Sequence, residues 1–149
     1  MSPVSLDDAA LTRTFTDRYR DVMAAEGKRN PDDMLIGIGR FVVVADTDDA
    51  ALALARRAYP MWHDSFNSLF RRHGRTPRHQ RAREFDGLVA EGMGIAGSPD
   101  TVTAFLKTDM AQSGANYMVG QFVFGDLTLD ESLHSIKLFT DDVMPVLKQ

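Results

Sequence analysis

The residues placed to do chemistry are Arg40, Gly97, Ser98, Gln121 and Asp126. Arg40 interrupts an apolar run, and strand alternation puts it on one face with Ile36, Ile38, Val42 and Val44. Two placements are open for it: near a strand end, reaching solvent or a carboxylate, or pointing inward to an anionic ligand group. Gly97 and Ser98 precede Pro99 and Asp100 at a helix start, where free backbone amides make an anion site. The same residues also serve as an ordinary strand-to-helix connection, with Ser98 as the cap. Gln121 is the strong polar residue of the last strand and can bond a ligand edge or a neighbouring backbone group. Asp126 follows that strand, holding a loop or lining a pocket. None of these pairs as nucleophile and base, and no catalytic residue is assigned. His73 and His79 lack nearby carboxylates at metal-ligand spacing, and no metal is expected.

The elements that position these residues begin with a strand–helix–strand unit. Residues 93–96 form a short apolar run suited to a buried parallel strand, which Gly97 ends. Pro99 suits the first helical position and Asp100 the positive end of the helix dipole. Val102, Phe105, Leu106 and Met110 line one helix face, and Gly114 supplies the stop. Residues 117–124 return as an apolar strand expected to be buried on both faces, a right-handed parallel crossover.

Upstream, Ser5 with Asp8 predicts a helix start, and Leu11, Phe15, Tyr19, Val22 and Met23 its apolar face up to Gly27. A polar loop at 28–33 leads into a strand at 35–44, where Gly37 and Gly39 share a face with Phe41 and Val43. Asp46 or Thr47 caps the next helix, and Pro60 predicts a division into one helix ending near Tyr59 and another over 61–72. Trp62 and Phe66 read as core or partner contacts before a cofactor platform. The basic stretch 71–83 reads first as a solvated loop, second as a phosphate-binding loop. Nucleic acid fits it poorly, because no aromatics are interleaved and the chain as a whole is acidic. Phe85–Ala90 is a short helix; Thr128 with Glu131 is a capping box for a last helix carrying Leu129, Leu133, Ile136, Val143 and Met144, ended by Pro145.

The 149 residues carry a net charge of −4, with 44% hydrophobic and 26% charged residues, ordinary for a globular protein. That charge gives no global attraction to nucleic acid or anionic lipid. The absence of cysteine excludes disulfides and thiol catalysis and fits a cytoplasmic setting. No signal peptide or membrane-spanning stretch is expected. Without repeats or linkers, residues 1–149 read as a single domain.

Gly97-Ser98-Pro99-Asp100-Thr101-Val102, then Gly114-Ala115, then Gln121-Phe122-Val123-Phe124-Gly125-Asp126-Leu127 resemble the C-terminal end of bacterial-luciferase-like flavin monooxygenases. The resemblance extends upstream through residues 36–58 and downstream to Met144-Pro145. It implies an α/β fold, part of a (β/α)8 barrel, with FMN as reduced-flavin cofactor and a small organic substrate. A closed barrel takes ~250 residues, so the expected fold is the C-terminal half, about three parallel strands with flanking helices. By the same resemblance Arg40, Gly97, Ser98, Gln121 and Asp126 become candidate cofactor contacts. Where some members carry histidine this chain has Phe41, which removes a possible acid–base group. Raw strand edges in a half-barrel predict a homo-oligomer, joined through those edges or the aromatic helix around Trp62. Two functions follow: a monooxygenase portion not competent alone, or a non-catalytic homologue acting as an oligomeric binding or structural protein.

Overall fold

Alternation along one strand organises the chain. In the computed structural model, which describes residues 4–27, 34–77 and 80–148, this strand is β2 (Gly37–Val44), buried along its whole length. It is the centre of a four-stranded parallel sheet. β1 (Val4–Ser5) pairs with Gly37 and Ile38, β3 (Gly94–Gly97) with residues 41–44, and β4 (Tyr117–Gln121) with residues 37–41. Phe41 is thus flanked on both sides, by Gly94 and by Gln121. The expected loop at 28–33 and His79 lie outside the described residues.

The even-numbered side chains of β2 meet one helical layer. Val42 and Val44 pack with Ile95, Val102, Leu106, Phe139 and Val143, drawn from β3, from α5 (Pro99–Ser113) and from the C-terminal helical run. That run comprises α6 (Leu129–Leu138), a π-helical turn (Phe139–Val143) and α7 (Met144–Leu147). Pro145 does not end it. The preceding π turn shifts the hydrogen-bond register, so proline enters at the start of α7, where its missing N–H costs little. Arg40 shares this face. Its Nε and Nη2 donate to Asp109 of α5 at 2.8 and 3.1 Å, and Nη1 donates to the Gly39 carbonyl at 2.8 Å. The two side chains are 0% and 5% exposed.

The odd-numbered face is closed only toward the end of β2. There Phe41, Val43 and Ala45 pack under α2 (Asp48–Phe66) and α4 (Phe85–Ala90), through Ala51, Ala55, Tyr59, Phe85 and Leu88. α2 runs unbroken through Pro60, and the interruption comes at Asn67, before α3 (Ser68–Arg72). Tertiary burial on both sides of the proline, by Ala55 and Ala58 before it and Trp62 after it, outweighs the lost backbone bond.

Three further expectations change. α1 (Ala9–Ala25) is capped by Asp8, and Ser5 belongs to β1, a short strand that adds a fourth to the expected three. α1 buries Thr12 and Thr16, while Leu11, Phe15 and Val22 face outward. Thr16 and Arg20 donate to the Ser113 and Gly114 carbonyls, so α1 docks by satisfying the end of α5. β4 ends at Gln121 and is only half-buried, with Val119 48% exposed where its odd-numbered face lines an open groove.

The Arg40–Asp109 pair makes a direct prediction. Asp109→Ala leaves a buried guanidinium unpaired and should cost about 3–5 kcal/mol in urea unfolding. An Arg40→Met/Asp109→Leu double variant should recover most of that loss; equal losses in both would contradict the assignment.

Candidate functional site

Glycine at position 39 leaves that point of the odd β2 face without a side chain, and a groove of about 580 Å³ opens there, while the Tyr117 ring fills the space over Gly37. Its walls include Gly39 and Phe41 of β2, Val119 and Gln121 of β4, Met93, and Trp62, Phe66 and Phe70 from α2 and α3. Leu6 lies over Gly39, so that a Cβ there would fall 2.3 Å from its Cδ2 and push the Leu6 side chain aside. Phe41 is the hinge of the aromatic wall: Trp62 meets it edge-on at 4.6 Å, Tyr59 and Phe124 at 5.2 Å. Trp62 in turn stacks on Phe66 at 5.0 Å. Trp62 packs against the core and lines the groove, while the exposed Phe66 extends the groove wall.

Polar groups at this groove are few. Gln121 projects from β4 beside Val119's face, and among the described residues its side-chain amide makes no hydrogen bond. Arg81 places its guanidinium carbon 5.9 Å from the Trp62 ring centroid, a cation–π contact. The Tyr59 hydroxyl is buried behind the wall with no hydrogen-bond partner among the described residues, and burial pushes its pKa up to about 12. It stays neutral at physiological pH.

The other expected site residues lie elsewhere. Arg40 borders the groove, but its side chain is spent on Asp109 on the helix side. Gly97 and Ser98 do open α5, yet the helix's anion is internal: Asp48 accepts from the Ser98 N–H at 2.6 Å and from the Thr101 hydroxyl at 3.1 Å. Ser98 makes no side-chain cap, its hydroxyl turning to Thr101. Donation from the Ser98 backbone N–H, with the Ser98 and Thr101 side chains, holds the Asp48 carboxyl below the usual carboxylate range. Asp126 is exposed and pairs with Arg57 at 3.2 Å; the same guanidinium forks onto Glu131 at 2.7 and 3.1 Å. The Arg57 side chain and the Thr128 N–H hold Glu131 down at about 2. These strand ends are thus tied off by the chain's own groups. In the basic stretch, the exposed Arg71 and Arg83 reach Asp64 of α2 at 3.3 and 3.0 Å, so part of its charge is balanced by an acid.

Asp109, Asp48 and Arg81 were missed from the sequence. Asp109 had a signal: an acid three residues after Leu106 on the buried helix face, complementary to the lone strand arginine. Among the described residues no His/Cys/Asp/Glu group could hold a metal ion. No helix there is long and apolar enough to cross a membrane.

The model of the luciferase-like monooxygenases matches residues 3–117. The chain belongs to that family. Luciferase-like proteins of known structure share its fold at low identity. The monooxygenase RslO1 of Streptomyces bottropensis superposes with a TM-score of 0.76 at 20% identity, over 95% of this chain and 40% of that one. The oxygenating constituent of 3,6-diketocamphane monooxygenase of Pseudomonas putida, solved with FMN, gives 0.67 at 20% identity, over 96% and 41%. A curated relative, the uncharacterized protein y4wF of Sinorhizobium fredii, is 28% identical over 136 residues, 91% of this chain and 40% of that protein. This luciferase-like chain therefore spans about 40% of the length of its relatives, and its parallel strands and flanking helices superpose on part of theirs.

The Asp48 contact is testable by pH. A carboxyl with a folded-state pKa below its unfolded value stabilises the fold above the unfolded range, and that support is withdrawn as pH falls through the folded pKa. Asp48→Asn should lower stability at neutral pH and shrink the difference from wild type below pH ~4. A difference that stays constant across that window in thermal melts would contradict the contact.

Proposed function

We propose that the chain supplies the C-terminal wall of a flavin-dependent monooxygenase site, with FMN against the aromatic groove, and that it does not turn over substrate alone. The observation that carries this reading is the groove itself: an apolar, aromatic wall on the odd-numbered side of β2 and β4, with an amide, Gln121, that has no hydrogen-bond partner among the described residues. Such a surface fits a planar ring. Its apolar body would lie along Phe41, Val119 and Trp62, and Gln121 would hydrogen-bond a polar ring edge. When bound, reduced flavin supplies the chemistry of dioxygen activation toward a small organic substrate. The chain's own residues orient the ring and keep water from one side of it. Gly97, Ser98 and Asp126 act as positioning residues at the strand ends, and Arg40 holds the sheet to α5. The phosphate does not fit the α5 N-terminus, because Asp48 already occupies it. The rest of the barrel wall is supplied by another segment or another copy, and the cysteine-free composition supports a cytoplasmic setting.

A second reading is favoured by the outward apolar stripe of Leu11, Phe15 and Val22 beside Val4 and Leu6. In it the chain is a non-catalytic binding or structural protein whose copies cover one another's stripes.

Titration with FMN, followed by flavin fluorescence quenching, tests the first reading. The chain should bind with a dissociation constant on the order of tens of micromolar. Gln121→Leu should weaken binding about fivefold, one neutral hydrogen bond. No quenching, together with a self-associating boundary in sedimentation, would replace the first reading by the second.

A further inference from the structure

The chain's densest positive charge and some of its most exposed apolar side chains fall on one corner. Residues 65–83 carry no acidic side chain. Within them the end of α2 presents Phe66, 49% exposed, and α3 presents Leu69, 64% exposed, with the Phe70 ring 6.4 Å from that of Phe66. These three side chains, with His73 and Arg75, line a shallow depression of about 770 Å³. Arg71 and Arg72 close α3. Asp64, the acid of α2 at this corner, is shared between Arg71 and Arg83, and Glu84 lies beside Arg83 at 3.6 Å. Arg72 and Arg75 are exposed and form no ion pair among the described residues. Apolar area that is costly to leave in water thus sits within a rim of uncompensated cations.

We propose that this corner docks the chain on an anionic lipid surface. Leu69 and Phe66 enter the boundary between headgroups and acyl chains, and Arg72 and Arg75 pair with headgroup phosphates. Charge complementarity selects that partner. A membrane interface offers hydrocarbon and negative charge in one plane, and a helical edge bearing both kinds of side chain meets both. Nucleic acid would neutralise the arginines and leave Leu69 and Phe66 in water. An apolar protein surface would cover Leu69 and leave the guanidinium groups unpaired. Arginine suits the role, because its stem lies along apolar surface while its head reaches a phosphate. The acidity of the chain as a whole does not oppose the contact, since charges farther away than a Debye length of about 8 Å are screened at physiological salt. The inference is independent of the flavin reading, because neither Leu69 nor Arg72 lines the groove.

Co-sedimentation of the full chain with vesicles tests it, using phosphatidylcholine alone and phosphatidylcholine mixed equally with phosphatidylglycerol. The chain should partition onto the mixed vesicles about thirtyfold more strongly, the attraction of two basic residues near an anionic surface. That advantage should shrink as salt is raised. Leu69→Ser should lower partition onto the mixed vesicles about tenfold, and Arg72→Glu, which reverses one charge, about thirtyfold. Both side chains are exposed, and native circular dichroism checks both variants. Equal partition onto the two vesicle types, no partition at all, or a Leu69→Ser variant that binds like wild type would overturn the proposal. FMN quenching should be the same in both variants as in wild type; its absence from all three, with vesicle binding intact, would remove the flavin reading alone.

Discussion

Everything in this fold follows from the two faces of β2. Side chains alternate along a strand, so one buried segment must satisfy two different surroundings. The even face ends in valines that pack on α5 and the C-terminal helices, and in Arg40, whose charge is met by Asp109. The odd face carries glycines where Leu6 and the Tyr117 ring come close, and Phe41 where the aromatic wall begins. A slip of one residue in register would exchange these faces, burying the groove and expelling the arginine. The buried ion pair opposes that slip, because the mis-registered strand would leave both charges unpaired.

Fixing the strand fixes what lies at its ends. The Val44 N–H donates to Ser135 of α6, and Asn116 links the start of β4 to the Met34 and Ile36 backbone before β2. Asp48 closes the N-terminus of α5, and Arg57 gathers Asp126 and Glu131. The turn after β4 lies so close to α2 that a Cβ on Gly125, whose φ is +60°, would sit 1.9 Å from the Ala58 carbonyl oxygen. Such a turn admits only glycine. The loops at the strand ends are therefore tied to neighbouring elements by the chain's own groups, while Gln121 stays unengaged at the groove.

What the sequence disclosed was local. The Gly97-to-Gly114 unit declared itself because proline, acid and glycine at a helix's ends have backbone reasons independent of the remaining chain, and Gly114 does adopt the left-handed cap. The Thr128–Glu131 capping box formed for the same reason. The errors came where tertiary partners decide. Periodicity found the stripe of Leu11 and Phe15 but not its direction, because what buries α1 is a pair of threonine hydroxyls and their partners. Pro60 looked like a break until burial on both sides of it was known. The anion site at Ser98 was legible as a site, but its occupant, Asp48, is brought in by the fold from fifty positions away. For the groove, sequence could name Gln121; the junction formed by Trp62 and Arg81 depends on how the chain returns after α3.

The central claim is that the ligand-facing surface is the groove on the odd face of β2 and β4 and not the strand-end helix terminus. Amide and indole chemical-shift mapping during an FMN titration tests it most directly. The account predicts perturbations at Gly39, Phe41, Val119, Gln121 and the Trp62 indole, with residues 97–101 unmoved. Shifts centred on residues 97–101, with the groove silent, would contradict it.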